Sequence, residues 1–199
     1  MQHESGVSAA ILAAGFSRRL GRPKQLLELR GKPLVQWAID AAQGADVSEV
    51  LVILGESAPD ILERIELGDA RAVINDRAVE GQSTSIVAAI ASADPLRSGT
   101  LLMLGDQPGV TAEDLQRVLA AFDDAPDSIA MASWQGEARS PVVFGRAYDR
   151  ELMQLTGDTG ARQVVRAHRD RVRFVEFDRP VPIDIDTVED YRRLLSERP

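Results

Sequence analysis

Val7-Ser8-Ala9-Ala10-Ile11-Leu12-Ala13-Ala14-Gly15-Phe16-Ser17-Arg18-Arg19-Leu20-Gly21-Arg22-Pro23-Lys24 decides how this chain folds. The run Val7–Ala14 is apolar except for Ser8, the pattern of a strand buried on both faces of a parallel sheet. It passes without a linker into a loop that holds Gly15, Gly21 and four cations, Arg18, Arg19, Arg22 and Lys24, within seven residues. In an open parallel sheet, ligands bind beyond the carboxyl ends of the strands where the strand order reverses, and the first strand commonly flanks that point. Glycines there let backbone N–H groups turn toward an anion. Arginine offers forked contacts to phosphate and lysine a point charge. The bland alternative is a solvated basic loop with turn glycines.

Outward from this stretch, short apolar runs alternate with helical patterns. Pro33–Gln43 predicts a helix with Leu34, Trp37, Ala38 and Ala41 on one face. Val50–Leu54, Ala70–Ile74, Thr100–Leu104 and Ile129–Trp134 predict strands. Pro59–Leu67, Ser83–Ala93 and Thr111–Phe122 predict helices, the last capped by Thr111 with Glu113 and Asp114 in its first turn. Alternation of this kind implies βαβ units: an α/β, Rossmann-like, doubly wound and mainly parallel sheet with helices on both faces. After Trp134 the pattern changes. Gly136–Ser140 reads as a polar turn, Pro141–Phe144 as a short strand, Tyr148–Leu155 and Ala161–His168 as helical, Val172–Phe177 as a strand and Val188–Leu195 as a closing helix. No repeat or long linker divides residues 1–199, so one domain is expected.

A chain of 199 residues can bury roughly 70% of the surface that its unfolded form exposes. It has no Cys, so disulfides and thiolate metal sites are excluded, and two His, His3 and His168, cannot build a zinc site alone. His168 follows a helical run and reads as a surface helix-end residue. The net charge of −8 disfavours general nucleic-acid binding, which needs a cationic face. No apolar run is long enough to cross a membrane, and Met1–Gly6 has no signal-peptide core, so a cytoplasmic protein is expected.

Two familiar phosphate loops do not fit the glycine- and arginine-rich loop. A P-loop needs Lys directly after its second Gly, whereas Gly21 is followed by Arg22-Pro23-Lys24, and the dinucleotide pattern G-x-G-x-x-G is absent. Leu12–Lys24 resembles instead the L-A-A-G-x-S-x-R-[ML]-G-x-x-K signature of the MobA-like nucleotidyltransferases. It is most similar to the molybdenum cofactor cytidylyltransferases (MocA type). The blocks Gln25-Leu26-Leu27-Glu28-Leu29 and Gly31-Lys32-Pro33-Leu34 come next in the family's order, and the resemblance spans nearly the whole chain. It implies the fold of nucleotide-diphospho-sugar transferases, with Leu12, Ala13, Ala14 and Gly15 holding base and ribose through their backbone. Ser17 and Gly21 complete the nucleotide loop, and Arg19 and Lys24 hold the phosphates as catalytic groups. Leu20 stands where many relatives have Met, a swap that keeps the volume.

Asp106 ends the strand Thr100–Leu104 after Gly105, where a metal-binding carboxylate belongs in such a sheet; a turn-initiating Asp is the alternative. Leu104-Gly105-Asp106-Gln107-Pro108 resembles the family's L-x-D-Q-P block, which implies a catalytic, metal-binding Asp106 with Gln107 on the acceptor side. In Asp184-Ile185-Asp186-Thr187 strand alternation puts both carboxylates on one face and Ile185 on the other. One Asp can cap the following helix with Thr187 and the other can face a metal. The resemblance to D-I-D-T-x-E-D-[YL] favours Asp184 as the ligand and Asp186 as the cap. Mg²⁺ suits this pair, since it takes one or two carboxylates and completes its shell with substrate phosphates and water.

Gly81-Gln82-Ser83-Thr84-Ser85 opens a helix, where free N–H groups and hydroxyls can meet an anion or a base edge, or Ser83 can simply cap. It resembles the family's G-x-S-S-S segment, so Gly81, Ser83 and Ser85, with Asn75 just before, are expected at the nucleotide. Arg139-Ser140-Pro141 and Gly157-Asp158-Thr159-Gly160-Ala161-Arg162 lie in the less regular half. The second resembles a G-D-x-G-A-R segment, which implies acceptor roles for Pro141, Asp158 and Arg162. The reaction so implied is transfer of CMP from CTP to a molybdopterin-type molybdenum cofactor, with pyrophosphate released and a molybdenum hydroxylase as candidate recipient of the product. The alternatives are a guanylyltransferase, a transferase for another phosphorylated acceptor, or a non-catalytic cofactor chaperone.

Overall fold

The computed structural model describes residues 6–17 and 20–196, and these described residues form nine strands and seven α-helices. Strand β1 is Val7–Ala13, and the loop after it leads to a small antiparallel pair, β2 (Glu28–Leu29) and β3 (Lys32–Pro33). Next come α1 (Leu34–Gln43), β4 (Glu49–Leu54), α2 (Ala58–Leu62), β5 (Arg71–Ile74), α3 (Gln82–Ser92), β6 (Gly99–Leu104) and α4 (Ala112–Ala121). The last part holds β7 (Ile129–Trp134), β8 (Glu137–Gly145), α5 (Asp149–Leu152), α6 (Arg162–Ala167), β9 (Val172–Phe177) and α7 (Val188–Ser196).

The main sheet has seven strands in the order β5-β4-β1-β6-β8-β7-β9. β1 lies parallel to both β4 and β6, so the chain moves outward from β1 first to one side and then to the other. The end of β1 is therefore the switch point that its sequence predicts. Successive residues on the central strands enter two different cores. Ala9 and Ile11 of β1, with Val50, Val52 and Leu54 of β4, pack against Val35, Ala38 and Ile39 of α1 and Leu115 and Val118 of α4. Ala10, Leu51, Ile53 and Leu102 face the opposite way, onto Ile86, Ala89 and Ile90 of α3, Leu152 of α5 and Val164 of α6. Both faces of the sheet are covered, which is why these strands are apolar without alternation.

Beyond β6 the sheet stops being parallel. β8 runs antiparallel between β6 and β7, and β9 then pairs parallel with β7. The expected polar turn at 136–140 is mostly strand: only Gln135 and Gly136 turn, both at positive φ (48° and 85°), as a two-residue hairpin requires. The helix expected over 59–67 ends at Leu62. Side chains of α1 capture the residues beyond it: Gln36 exchanges hydrogen bonds with the Glu66 backbone at 2.8 and 3.0 Å, and Gln43 donates to the Leu67 carbonyl at 2.6 Å. Tertiary partners thus take over groups that a longer helix would have used. The expected cap at Thr111 is present as a capping box with Asp114. His168 ends α6 and shares a 2.7 Å hydrogen bond with Glu151.

Ser83 does not cap α3. The helix begins at Gln82 with Gly81 in the cap position, and the Ser83 N–H donates to the Gly157 carbonyl at 3.1 Å. Gly81 adopts φ +120°, and a Cβ there would overlap the Gly157 backbone. The start of α3 and the 157–160 loop are thus joined backbone to backbone. Gly81→Ala adds both a strained φ and a backbone clash, and it is expected to cost about 2–4 kcal/mol of stability; urea unfolding of the variant against the parent chain measures this.

Candidate functional site

The carboxyl ends of β1 and β6 open into a cleft of about 460 Å³. Its floor is Leu12, Ala13, Ala14 and Gly15, and its far wall is the start of α3 with Gly81, Gln82 and Ser85. Glycine is required beside the floor: a Cβ on Gly105 would meet the Ala13 side chain at 2.9 Å, so the two strand ends can only approach this closely without one. The charged wall consists of Lys24, Asp106, Asp184 and Asp186.

The Lys24 ammonium donates to the Asp106 carboxylate and, at 2.8 Å, to Asp186 Oδ1. Burial alone would push this lysine's pKa down. The carboxylates of Asp106 and then Asp186 outweigh it and hold the ammonium above its ordinary range, so it stays charged at neutral pH. Asp184 is half-buried and accepts from Gln107 Nε2 at 2.5 Å. Its burial, and then the like charge of Asp106, push its carboxyl above the ordinary 3.8, against the opposing Gln107 bond. Ile185 is fully buried against Leu27 and Leu34, so both neighbouring carboxylates face the cleft, as alternation predicts. The capping role expected for Asp186 is filled otherwise. Thr187 Oγ1 accepts from the Asp190 N–H at 3.1 Å and the Asp190 carboxylate accepts from the Thr187 N–H at 2.9 Å, which frees Asp186 to reach Lys24.

Several expected nucleotide residues stand behind the cleft wall. Asn75 is buried and donates to the hydroxyls of Thr84 and Ser85 at 2.9 and 3.0 Å, fixing the start of α3. Ser83 is buried behind the same wall. Ser17 Oγ accepts from the Lys24 N–H at 2.8 Å and so holds the loop closed at the lysine. Gly21 turns the loop at φ +66° and does not line the cleft. Arg18 and Arg19 lie outside the described residues.

A second cavity of about 400 Å³ adjoins the first, sharing Leu12, Gln82, Leu104, Asp158 and Asp184 with it. Gln107 and Arg162 line it, as does Arg139. Pro141, expected here, is buried within β8, and its neighbours Ser140 and Val142 line the cavity instead.

Gln25 opens a block that resembles the family's, but the sequence assigns its side chain no role. It is 2% exposed, and its amide donates to the Ala13 and Gly15 carbonyls at 2.6 and 3.0 Å. In a trans peptide the N–H points opposite to the carbonyl. Fixing those two carbonyls therefore fixes the direction of the next N–H groups in the floor of the cleft.

Among the described residues no group of three His, Cys, Asp or Glu is arranged to hold a metal by itself. The donors fit an ion that needs fewer protein ligands. Asp106, Asp184 and Asp186 supply hard carboxylate oxygens, and the Lys24 ammonium already marks a cation position between two of them.

A sequence model described as the MobA-like NTP transferase domain matches residues 9–172. Nicotine blue oxidoreductase of Paenarthrobacter nicotinovorans is 32% identical to the chain, covering 95% of it and 96% of its own length. A probable molybdenum cofactor guanylyltransferase of Pyrococcus horikoshii is 29% identical, over 75% of this chain and 73% of its own. The crystal structure of Rv0371C from Mycobacterium tuberculosis in complex with manganese superposes with a TM-score of 0.85 at 32% identity, covering 97% of this chain and 100% of that one. The fold is that of the nucleotide-diphospho-sugar transferases, as the sequence implies.

The charge on Asp184 opposes folding. Between pH 3.8 and the raised pKa of Asp184 the folded chain binds more protons than the unfolded one, so stability falls as pH rises through that window and stays lower at neutral pH. Asp184→Asn keeps the acceptor for Gln107 and removes the charge, so without metal at pH 7 it is expected to melt roughly 2–4 °C higher than the parent; an unchanged or lower melting temperature contradicts this reading. Gln25→Leu frees the Ala13 and Gly15 carbonyls, and nucleotide affinity is expected to fall about tenfold while circular dichroism stays native. Calorimetry with each nucleoside triphosphate measures the loss.

Proposed function

Because the chain belongs to the MobA-like NTP transferase family, we propose that it transfers a nucleotidyl group from a nucleoside triphosphate, with CTP as donor and a molybdopterin-type molybdenum cofactor as acceptor. The observation that carries the proposal is the Lys24 ammonium joined to Asp106 and Asp186 at the open ends of β1 and β6. A nucleotide with its base over Leu12–Gly15 and the start of α3 would set its phosphates against that lysine. Gln25 and Asn75 orient the backbone and hydroxyls that meet it.

The reaction needs no nucleophile from the protein. An oxygen of the acceptor's terminal phosphate forms a bond to the α-phosphorus, the bond from that phosphorus to the bridging oxygen breaks, and pyrophosphate leaves with the electron pair. Negative charge gathers on the transferring group in such a displacement. Lys24 offsets it as a fixed, fully protonated cation in a low-dielectric cleft, where such a group is most effective. Bound Mg²⁺, held by Asp106 and Asp184, would supply further charge neutralisation at the α-phosphate. The acceptor enters from the adjoining cavity, past Gln107, Asp158 and Arg162. A molybdenum hydroxylase is the proposed recipient of the product, and a cytoplasmic location accords with these substrates.

The donor and acceptor rest on the sequence resemblance; the guanylyltransferase relative makes GTP the first alternative donor. The relative named as an oxidoreductase raises a second reading, hydride or electron transfer. One experiment separates them. Pyrophosphate release is followed with each of four nucleoside triphosphates and molybdenum cofactor extract, with and without Mg²⁺, beside an assay in which a reduced nicotinamide cofactor passes hydride to a quinonoid dye. Release with CTP that requires Mg²⁺ is expected. Release only with GTP replaces the donor, and dye reduction without pyrophosphate release refutes the transferase reading.

Lys24→Ala removes the cation but no core contact, so it is expected to lower kcat/KM at least about a hundredfold, equivalent to roughly 3 kcal/mol, with the fold intact. A folded variant that turns over normally refutes the role.

A further inference from the structure

The second cavity is built unlike the first. Its interior is apolar, with Met103, Met131, Val142 and Val165 among its walls, while Arg139 and Arg162 stand at its rim. An irregularity in the sheet brings one of these arginines there. In the β7–β8 ladder Ala132 pairs with Arg139 and Met131 with Val142, leaving Ser140 and Pro141 without partners in between. A bulge of this kind re-aims side chains that strict alternation would send to opposite faces, and Arg139, Ser140 and Val142 all line the same cavity.

Polar groups in this cavity lack partners. The Ser140 hydroxyl is buried and unbonded, and so is Gln107 Oε1. The Arg162 guanidinium makes no hydrogen bond or ion pair with any described residue, and that of Arg139 reaches only the exposed Glu137, at 3.3 Å. Burial, and then the neighbouring Arg139, disfavour the charge on Arg162, and the carboxylate of Asp184 only partly offsets them. Two guanidinium groups at one rim over an apolar floor, with a spare hydroxyl donor between the strands, are short of one anion.

We propose that Arg139, Arg162 and Ser140 form an oxyanion subsite for the distal end of the acceptor, so that the acceptor carries, on an apolar body, a second anionic group besides the phosphate that attacks. The wall shared by the two cavities, with Asp158 and Asp184 in it, repels an anion and keeps the distal group on the arginine side. The free Gln107 Oε1 accepts from an N–H or O–H of the acceptor body. The subsite stands on the cavity's geometry; its assignment to the acceptor rests on the nucleotidyl-transfer reading.

The test is a titration of the full chain with inorganic phosphate, and separately with 1-naphthyl phosphate, followed at the side-chain Nε–Hε signals of the arginines. Saturable shifts at Arg139 and Arg162 are expected, with naphthyl phosphate binding roughly tenfold more tightly because its rings leave water. Arg162→Gln is expected to weaken both ligands roughly tenfold and to leave Mg²⁺·CTP affinity within about twofold. Arginine signals that do not move with phosphate in the parent chain overturn the subsite. Equal affinity for the two probes overturns the apolar body. A parallel loss of CTP affinity in Arg162→Gln assigns the arginines to the nucleotide instead. If the parent binds no nucleotide but the arginine signals still respond, the transfer reading fails and takes the acceptor assignment with it.

Discussion

Four carboxylates line one cleft, and the Lys24 ammonium keeps two of them together. Asp106 comes from the end of β6 and Asp186 from the segment before α7, eighty residues later in the chain. Without a cation between them, the two carboxylates would repel each other across the mouth of the cleft, while Ile185 still holds their segment to the core. The rest of the site is arranged so that this contact forms. Ser17 fixes the Lys24 backbone, Gln25 fixes the floor beside it, and Ile185 anchors the acidic segment against Leu27 and Leu34. The loop after β1 is thus tied to both partners through one side chain. When phosphates enter, the same ammonium has a third claimant, and a divalent ion becomes the natural replacement on the carboxylates.

How far the sequence is legible depends on whether a residue's partners are near it in the chain. β1, β4, β6 and their helices are mostly apolar on the faces they bury, so local pattern identifies them and the switch point at once. The capping box at Thr111 and the alternation of Asp184, Ile185 and Asp186 are legible for the same reason. Where a partner comes from afar, pattern fails. The 59–67 segment has the composition of a helix but loses its last turn to Gln36 and Gln43 of α1. Asp186 has the position of a cap, but Asp190 takes that place and Lys24, far back in the chain, takes Asp186. Gln25 is the clearest case. The resemblance marks its block but not its task, and only the fold brings its amide to the Ala13 and Gly15 carbonyls.

The two cavities differ in the ligand each can hold. The first is polar, acidic on one wall and held by backbone, which suits a group whose charge is offset by a metal. The second is apolar with cations at its mouth. A molecule that spans both must be charged at each end and dry in the middle, and this constrains the acceptor more sharply than the resemblance does.

The bulge in β8 and the backbone joint between Gly81 and Gly157 together divide the labour along the chain. Apart from Asp184, Asp186 and Asp158, everything in the first cleft precedes Gln107, whereas the arginine rim comes from 139 to 162. These halves meet backbone to backbone at the joint, and side chains of α3, α5 and α6 pack behind it. Rim side chains such as Arg139 and Arg162 can therefore be exchanged without disturbing the floor of the first cleft, whereas Val142, Leu152, Val164 and Val165 belong to the core behind it. A graft of the 139–165 stretch from a relative would carry its acceptor preference with it, provided both glycines of the joint stay.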